Sequence, residues 1–321
     1  MRYVSFARDG RARCGVVAGE LVHPLEVGSL TGFLGRTPVE RDAAVARALA
    51  APGVPLAEVR LGPPLEPPTL RDFVAFEEHV EGIRKSIDGV AGVPDRWYEA
   101  PTFYFTNPHS LIGPYDDVPM APGSAVLDFE LEVAVVIGKA GRDLTPAQAK
   151  EHIFGYTIFN DWSARDLQAL EMKVGLGPCK GKDFAGTLGP WIVTADELEP
   201  YRDDEGFLGL GLTAEVNGAV IGRDLLSNMG WQFEELVAYA SRGAELRPGD
   251  VLGSGTCGNG GCLAELWGRD GTGQPPPLGP GDTVTLTVEG IGSVVNRVVP
   301  GAEPVPLPRA RRRERRIRPR F

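Results

Sequence analysis

Residues 127–138 read LDFELEVAVVIG, and the alternation within them decides the fold. On an extended strand successive side chains point to opposite faces. Asp128, Glu130 and Glu132 then share one face, while Leu127, Phe129, Leu131 and Val133 share the other. A strand with one solvated face would begin the same way. Here the acidic face continues with Ala134 and Val136, which puts the acids at one end of a largely buried strand. Two carboxylates about 4 Å apart repel by about 4 kcal/mol at an effective dielectric of about 20. Acids so placed need a cation or must hold protons. Because the donors are all oxygens, a hard divalent ion is expected, Mg2+ first and Mn2+ or Ca2+ after it, in preference to zinc.

Working outward from that strand, GYTIFN (155–160) reads as a second strand, and LGLGLTAEVNGAVIG (208–222) as a hairpin turning at Asn217-Gly218. Two late segments, RPGDVLGSG and GPGDTVTLTVEG, repeat a turn-plus-strand pattern. The N-terminus reads strand, turn, strand through MRYVSFA, RDGR, ARCGVVA and ELVHPL, and RDAAVARALA (41–50) reads as a helix. Three other stretches have convincing helical character: TPAQAKEHI, SARDLQALEMK and MGWQFEELVAYASRG. The fold class is α+β and β-dominated. The proline-rich segment 51–70 reads as a linker, so residues 1–64 are expected to form a small N-terminal domain with that linker, 65–303 the body, and 304–321 a tail.

Charge narrows the function. Eight arginines and one glutamate between Arg309 and Arg320 give the tail a net +7 against −10 for the whole chain, so the remainder carries −17. A body this acidic does not suggest a nucleic-acid enzyme, and the tail reads as a solvated extension dispensable for catalysis. No apolar run approaches a membrane span and MRYVSFARDG lacks the apolar core of a secretory signal, so a cytoplasmic protein is expected. Cys257 and Cys262 share a glycine-rich loop, but no second Cys or His pair completes a zinc set. Gly253-x-Gly255-x-x-Gly258 matches a dinucleotide fingerprint, which requires a helix to follow. CLAELWG reads instead as a strand, which argues against nucleotide binding.

A further acid stands in GYTIFNDWSARDLQALEMK, where Asp161 marks a strand-to-helix corner and Ser163 with Asp166 fits a capping box. Arg165, Gln168 and Met172 follow at helical spacing and line one face, a possible pocket wall beside a metal ligand.

With these motifs in order, the sequence resembles the fumarylacetoacetate hydrolase family over residues 70–300. DFELEVAVVIG resembles the family's Glu-x-Glu metal strand, NDWSARDLQ its most recognisable signature, GKDFAGTLGPW the segment with its active-site lysine, and EGIGSVVNRVV its last strands. DFVAFEEH, WYEAPTFY and GSGTCGNGGCLAEL resemble segments of the hydrolytic branch. The resemblance implies a mixed β-sheet and β-roll body and metal ligation by Asp72, Glu130, Glu132 and Asp161. It implies catalytic roles for His79, Glu265, Lys182 and Arg165, with Glu265 orienting His79. Substrate contacts are implied for Tyr104, Gln168, Met172, Thr187 and Thr256. Val74 and Met172 stand where fumarylacetoacetases carry tyrosines, so chemistry is better specified than substrate.

The resemblance further implies hydrolytic cleavage of a carbon–carbon bond in a small 1,3-dioxo acid, such as an acylpyruvate or a fumarylacetoacetate-like acid, by a homodimer. An oxaloacetate-type decarboxylase, or a lyase or isomerase of the same family, is the first alternative. A non-catalytic binding protein that kept the fold is the second.

Overall fold

The computed structural model describes residues 1–311 and 313, so the remainder of the arginine-rich tail lies outside the described residues. A twelve-stranded sheet dominates. From the edge strand Val54–Pro55 it runs through Leu21–Pro24, Arg11–Ala18, Arg2–Arg8, Gly186–Thr194, Ile153–Asn160, Leu131–Ile137, Val251–Gly253 and Leu70–Phe73 to Phe103–Thr106. Along that path Val251–Gly253 pairs in parallel with Leu70–Phe73, and the other joins are antiparallel. A five-stranded sheet holds the hairpin Gly211–Val216 and Ala219–Leu225 beside Thr283–Val288 and Gly292–Val299. Asn217 and Gly218 both take positive φ, 53° and 78°, as a two-residue turn between right-twisted strands demands.

The opening stretch is not one continuous strand: Leu131–Ile137 lies in the large sheet, Leu127–Asp128 pairs separately with Ser163–Ala164, and Phe129 and Glu130 fall between them. Every residue from Leu131 to Ile137 is buried. Val133, Val135 and Ile137 enter the main apolar core, whereas Ala134 and Val136 enter a second core on the other face. That second core also contains Tyr3, Cys14, Val16 and Phe33 from the N-terminal segment. Arg2 and Tyr3 lie opposite Val193 and Ile192 in the sheet. The segment before residue 65 and the body thus share both a sheet and an apolar cluster.

Two local readings are corrected. CLAELWG is not a strand: Leu263–Asp270 is a helix opened by Cys262 and closed by Gly271 at φ 66°. Its short apolar run buries Leu263, Ala264, Glu265 and Leu266, and a run this brief does not distinguish strand from helix by period. The helix that follows the glycine-rich loop is nevertheless not free to take a phosphate. The Leu263 and Ala264 N–H groups donate to the Asp128 carboxylate at 2.8 and 3.0 Å, which fills the position a phosphate would take at that helix terminus. The Ser163/Asp166 capping box is also absent. Ser163 lies in a short bridge-strand and donates to the Asp161 carbonyl at 2.9 Å, while Asp166 accepts from Ser124 Oγ and Ala125 N–H.

The helix Glu77–Asp88, which sequence patterning did not single out, packs against Leu263–Asp270 with almost no space between them. A Cβ added at Gly268 would lie 2.0 Å from the Gly82 carbonyl oxygen, and one at Gly82 would lie 2.6 Å from Glu265 Cγ. Glycine at both positions lets the two helices approach, and these helices carry His79 and Glu265.

Candidate active site

The sheet register brings the acids together. Gly253 lies opposite Ala134 on one side and Asp72 on the other, and Asp72 lies opposite Tyr104. One carboxylate oxygen from each of Asp72, Glu130 and Glu132 falls within 4.8 Å of the others, and all three residues are buried. Asp161 follows the strand Ile153–Asn160 and is buried too, but it does not join the three at that spacing. Lys182 bridges it to the cluster, with Nζ bonded to Glu130 and lying 2.7 Å from Asp161 Oδ2.

Burial, together with neighbouring negative charge, pushes the carboxyls of Asp72 and Glu132 well above the ordinary range. At Glu130, burial also works upward, but Lys182 and Arg165 outweigh it and hold the group well below its usual value. Asp161 is raised to about 6 by burial, which the bonded Lys182 only partly offsets. Asp72 Oδ1, Glu132 Oε2 and Asp161 Oδ1 are buried with no hydrogen-bond partner among the described residues. Such atoms are costly unless something else satisfies them. Nothing but a glycine separates two of them, since a Cβ at Gly253 would stand 2.5 Å from Asp72 Oδ1 and 2.8 Å from Glu132 Oε2. Oxygen-only donors, unmet lone pairs and that gap fit a hard divalent ion.

The two cations are themselves fixed. Arg165 opens the helix Arg165–Glu171, donating from Nε to Asp128 at 2.8 Å and from Nη2 to Glu130 Oε1 at 2.8 Å. Three residues that were not among the candidate site residues complete the frame. Asp128 shares the acidic face but is consumed by Arg165 and the helix start at Leu263, so it acts as an anchor. Asn160 Oδ1 accepts the Glu130 N–H at 2.9 Å. Glu171 accepts the N–H groups of Cys179, Lys180 and Gly181 at 2.8, 2.7 and 3.0 Å, shaping the loop that delivers Lys182.

Of the remaining candidates, Tyr104 donates its hydroxyl to Asp161, Thr256 donates to Glu132 at 3.3 Å, and Gln168 Oε1 accepts from Arg165 at 3.1 Å. Two further candidates make no hydrogen bond to the acid cluster among the described residues. Met172 is 47% exposed in the 3-10 turn that follows the helix and ends at Gly175, so the helical face containing Arg165 and Gln168 stops short of it. Thr187 is fully buried, and its hydroxyl is already engaged, accepting from Trp162 Nε1 and donating to Asn296, both at 2.9 Å.

His79 is buried, and burial depresses its pKa to about 4, so the ring is neutral near pH 7. Among the described residues no hydrogen bond joins it to Glu265. The ring Nδ1 faces Cys262 Sγ at 3.8 Å, and the Glu265 carboxylate accepts the Gly260 N–H at 3.3 Å. Burial raises Glu265 to about 7 from a usual 4.5. Between those pH values the folded protein binds this proton more tightly than the unfolded chain, so stability falls as pH rises through the window, by about 3 kcal/mol at most. Glu265→Gln cannot ionise. Its melting temperature relative to wild type should therefore climb between about pH 4.5 and 7 and level off above. A pH-independent difference across that range would show that Glu265 ionises normally in the fold.

The family model described as fumarylacetoacetate (FAA) hydrolase C-terminal matches residues 69–299. A fumarylacetoacetase of Arabidopsis thaliana is 32% identical over 266 residues, covering 68% of this chain and 62% of its own. The chain thus spans less than two thirds of that relative's length. A mitochondrial oxaloacetate tautomerase of Homo sapiens is 34% identical over 193 residues, covering 59% of this chain and 56% of its own. Among solved structures, a fumarylacetoacetate hydrolase from Exiguobacterium antarcticum superposes with a TM-score of 0.71 at 28% identity, covering 94% of this chain and 99% of its own.

Proposed function

The chain belongs to the fumarylacetoacetate hydrolase family, and from that premise we propose that it is a divalent-metal-dependent hydrolase cleaving a carbon–carbon bond in a small 1,3-dioxo acid. One juxtaposition carries the reading: a buried, neutral histidine within the electrostatic reach of a carboxylate cluster whose free oxygens have no donors. Asp72, Glu130 and Glu132 would hold the ion, with Asp161 beside them. Bound there, a hard cation supplies chelation of two substrate oxygens and positive charge where an enolate develops.

The chain's own residues do the rest. His79, uncharged at neutral pH, takes a proton from water at Nε2. Lys182 and Arg165 are immobilised between carboxylates and present fixed positive charge with no reorganisation as the reaction proceeds. Tyr104 and Thr256 fix the carboxylates they bond, and the Gln168 amide nitrogen is available to orient the acid. The buried setting of the cluster limits access of bulk water.

The missing His79–Glu265 hydrogen bond favours a second reading, a decarboxylase or tautomerase acting on an oxaloacetate-like acid, which needs no activated water. In either case we place catalysis in residues 65–303, in a cytoplasmic homodimer. The test strips the protein with chelator and follows products from a panel of acylpyruvates and oxaloacetate with Mg2+ or Mn2+ restored. Cleavage of the acylpyruvates that depends on added metal is the expected result. Full turnover in metal-free protein would overturn the reading.

A further inference from the structure

We propose that Cys262 is the positioning residue for His79, its sulfur accepting the ring Nδ1–H and so leaving the Nε2 lone pair free to act as base. This rests on the assignment of His79 as base above. Ser, Thr, Asp and Asn are the residues favoured at a helix N-cap. Here Cys262 occupies that position, with extended backbone at φ −152° and ψ 166°. Its Sγ accepts the Glu265 N–H at 3.4 Å, which pins the sulfur to the first turn of the helix Leu263–Asp270. The same Sγ lies 3.8 Å from His79 Nδ1 on the facing helix, the one polar contact of that ring among the described residues. Both the sulfur and the His79 ring are buried, away from bulk solvent.

Geometry turns this into function. A neutral imidazole has one donor nitrogen and one acceptor nitrogen, and the partner of one decides the role of the other. The close helix contact at Gly82 and Gly268 holds the two helices at a fixed separation, so the sulfur-to-ring contact is set by backbone rather than by mobile side chains. Glu265, one turn beyond the cap, has its carboxylate turned to the Gly260 N–H instead.

The test reads the tautomer directly. In 15N-histidine-labelled protein the His79 signals are identified by their loss in His79→Ala, a tractable assignment among four histidines. Wild type should show the Nδ1–H form. Cys262→Ala should shift His79 toward Nε2–H and lower kcat about tenfold with little change in KM, the loss expected when a base is held less well. Cys262→Ser keeps a cap and an acceptor, so it should stay folded and retain most of the Nδ1–H form. The proposal is overturned if wild-type His79 carries its proton on Nε2, or if Cys262→Ala leaves both tautomer and kcat unchanged. The tautomer readout needs no turnover. An enzyme that failed to hydrolyse any dioxo acid would remove the base assignment, yet the contact between sulfur and ring would still be scored.

Discussion

Replacing His79 by Ala should lower carbon–carbon hydrolysis by roughly 10²- to 10⁴-fold, the usual contribution of a positioned general base. Metal binding should survive, because the His79 ring contacts Cys262 and none of the carboxylates whose oxygens are unmet. Decarboxylation or tautomerisation of an oxaloacetate-like acid depends on chelation and charge stabilisation, so it should suffer much less in the same variant. Running both assays on one preparation makes the ratio of the two losses the deciding quantity, and it cancels differences in active fraction. The substitution also opens a small buried space. Calorimetric Mn2+ binding and a thermal melt establish that the variant is folded before its rates are read. If wild type and His79→Ala hydrolyse the dioxo acids at equal rates, His79 is not the base; if wild type hydrolyses none of them, the hydrolase assignment fails and the tautomerase or decarboxylase reading takes its place.

Much of this site was legible in local pattern, and what was missed has a common physical character. The strand Leu131–Ile137 announced itself by period, and so did the turn at Asn217-Gly218, because both depend on neighbours in sequence. Glu130 and Glu132 could be placed on one face for the same reason, and burial of Ala134 and Val136 on that face agrees. Asp128 obeys the same alternation yet serves differently, since its partners, Arg165 and the N–H groups of Leu263 and Ala264, are remote in sequence. Alternation assigns a face and does not say what stands opposite. Thr187 illustrates the limit from the other side: its motif position suggested substrate, but Trp162 and Asn296 take both of its hydrogen-bonding roles. Met172 lies past Glu171, where the helix tightens into a 3-10 turn, so helical spacing alone does not put it on the face of Arg165 and Gln168. Cys262 was weighed only as half of a zinc pair. Its role as a cap facing His79 could not be read while the segment after it was taken for a strand.

Gly253→Ala should damage the site as severely as loss of a ligand, although the residue contributes no side chain. Its Cβ would stand 2.5 Å from Asp72 Oδ1, 2.8 Å from Glu132 Oε2 and 3.2 Å from Phe159 Cδ1. Contacts this short must be relieved. The backbone has little room to yield, because Gly253 is paired on both sides, to Ala134 and to Asp72. The carboxylates must therefore swing apart, away from the spacing of 4.8 Å or less that now joins them with Glu130. Disturbing the support of a metal ligand costs about 10- to 100-fold in affinity, and moving two ligands at once should reach or exceed the upper end. Overpacking should also destabilise the fold by about 1–3 kcal/mol, so affinity for Mn2+ is to be measured by calorimetry well below the melting temperature. Gly279→Ala is the matched control, since a Cβ there meets nothing within 4 Å. Unchanged Mn2+ affinity in folded Gly253→Ala would show that the ion, if bound, sits elsewhere. A loss of affinity with turnover falling in parallel would locate the metal at the gap between Asp72 and Glu132.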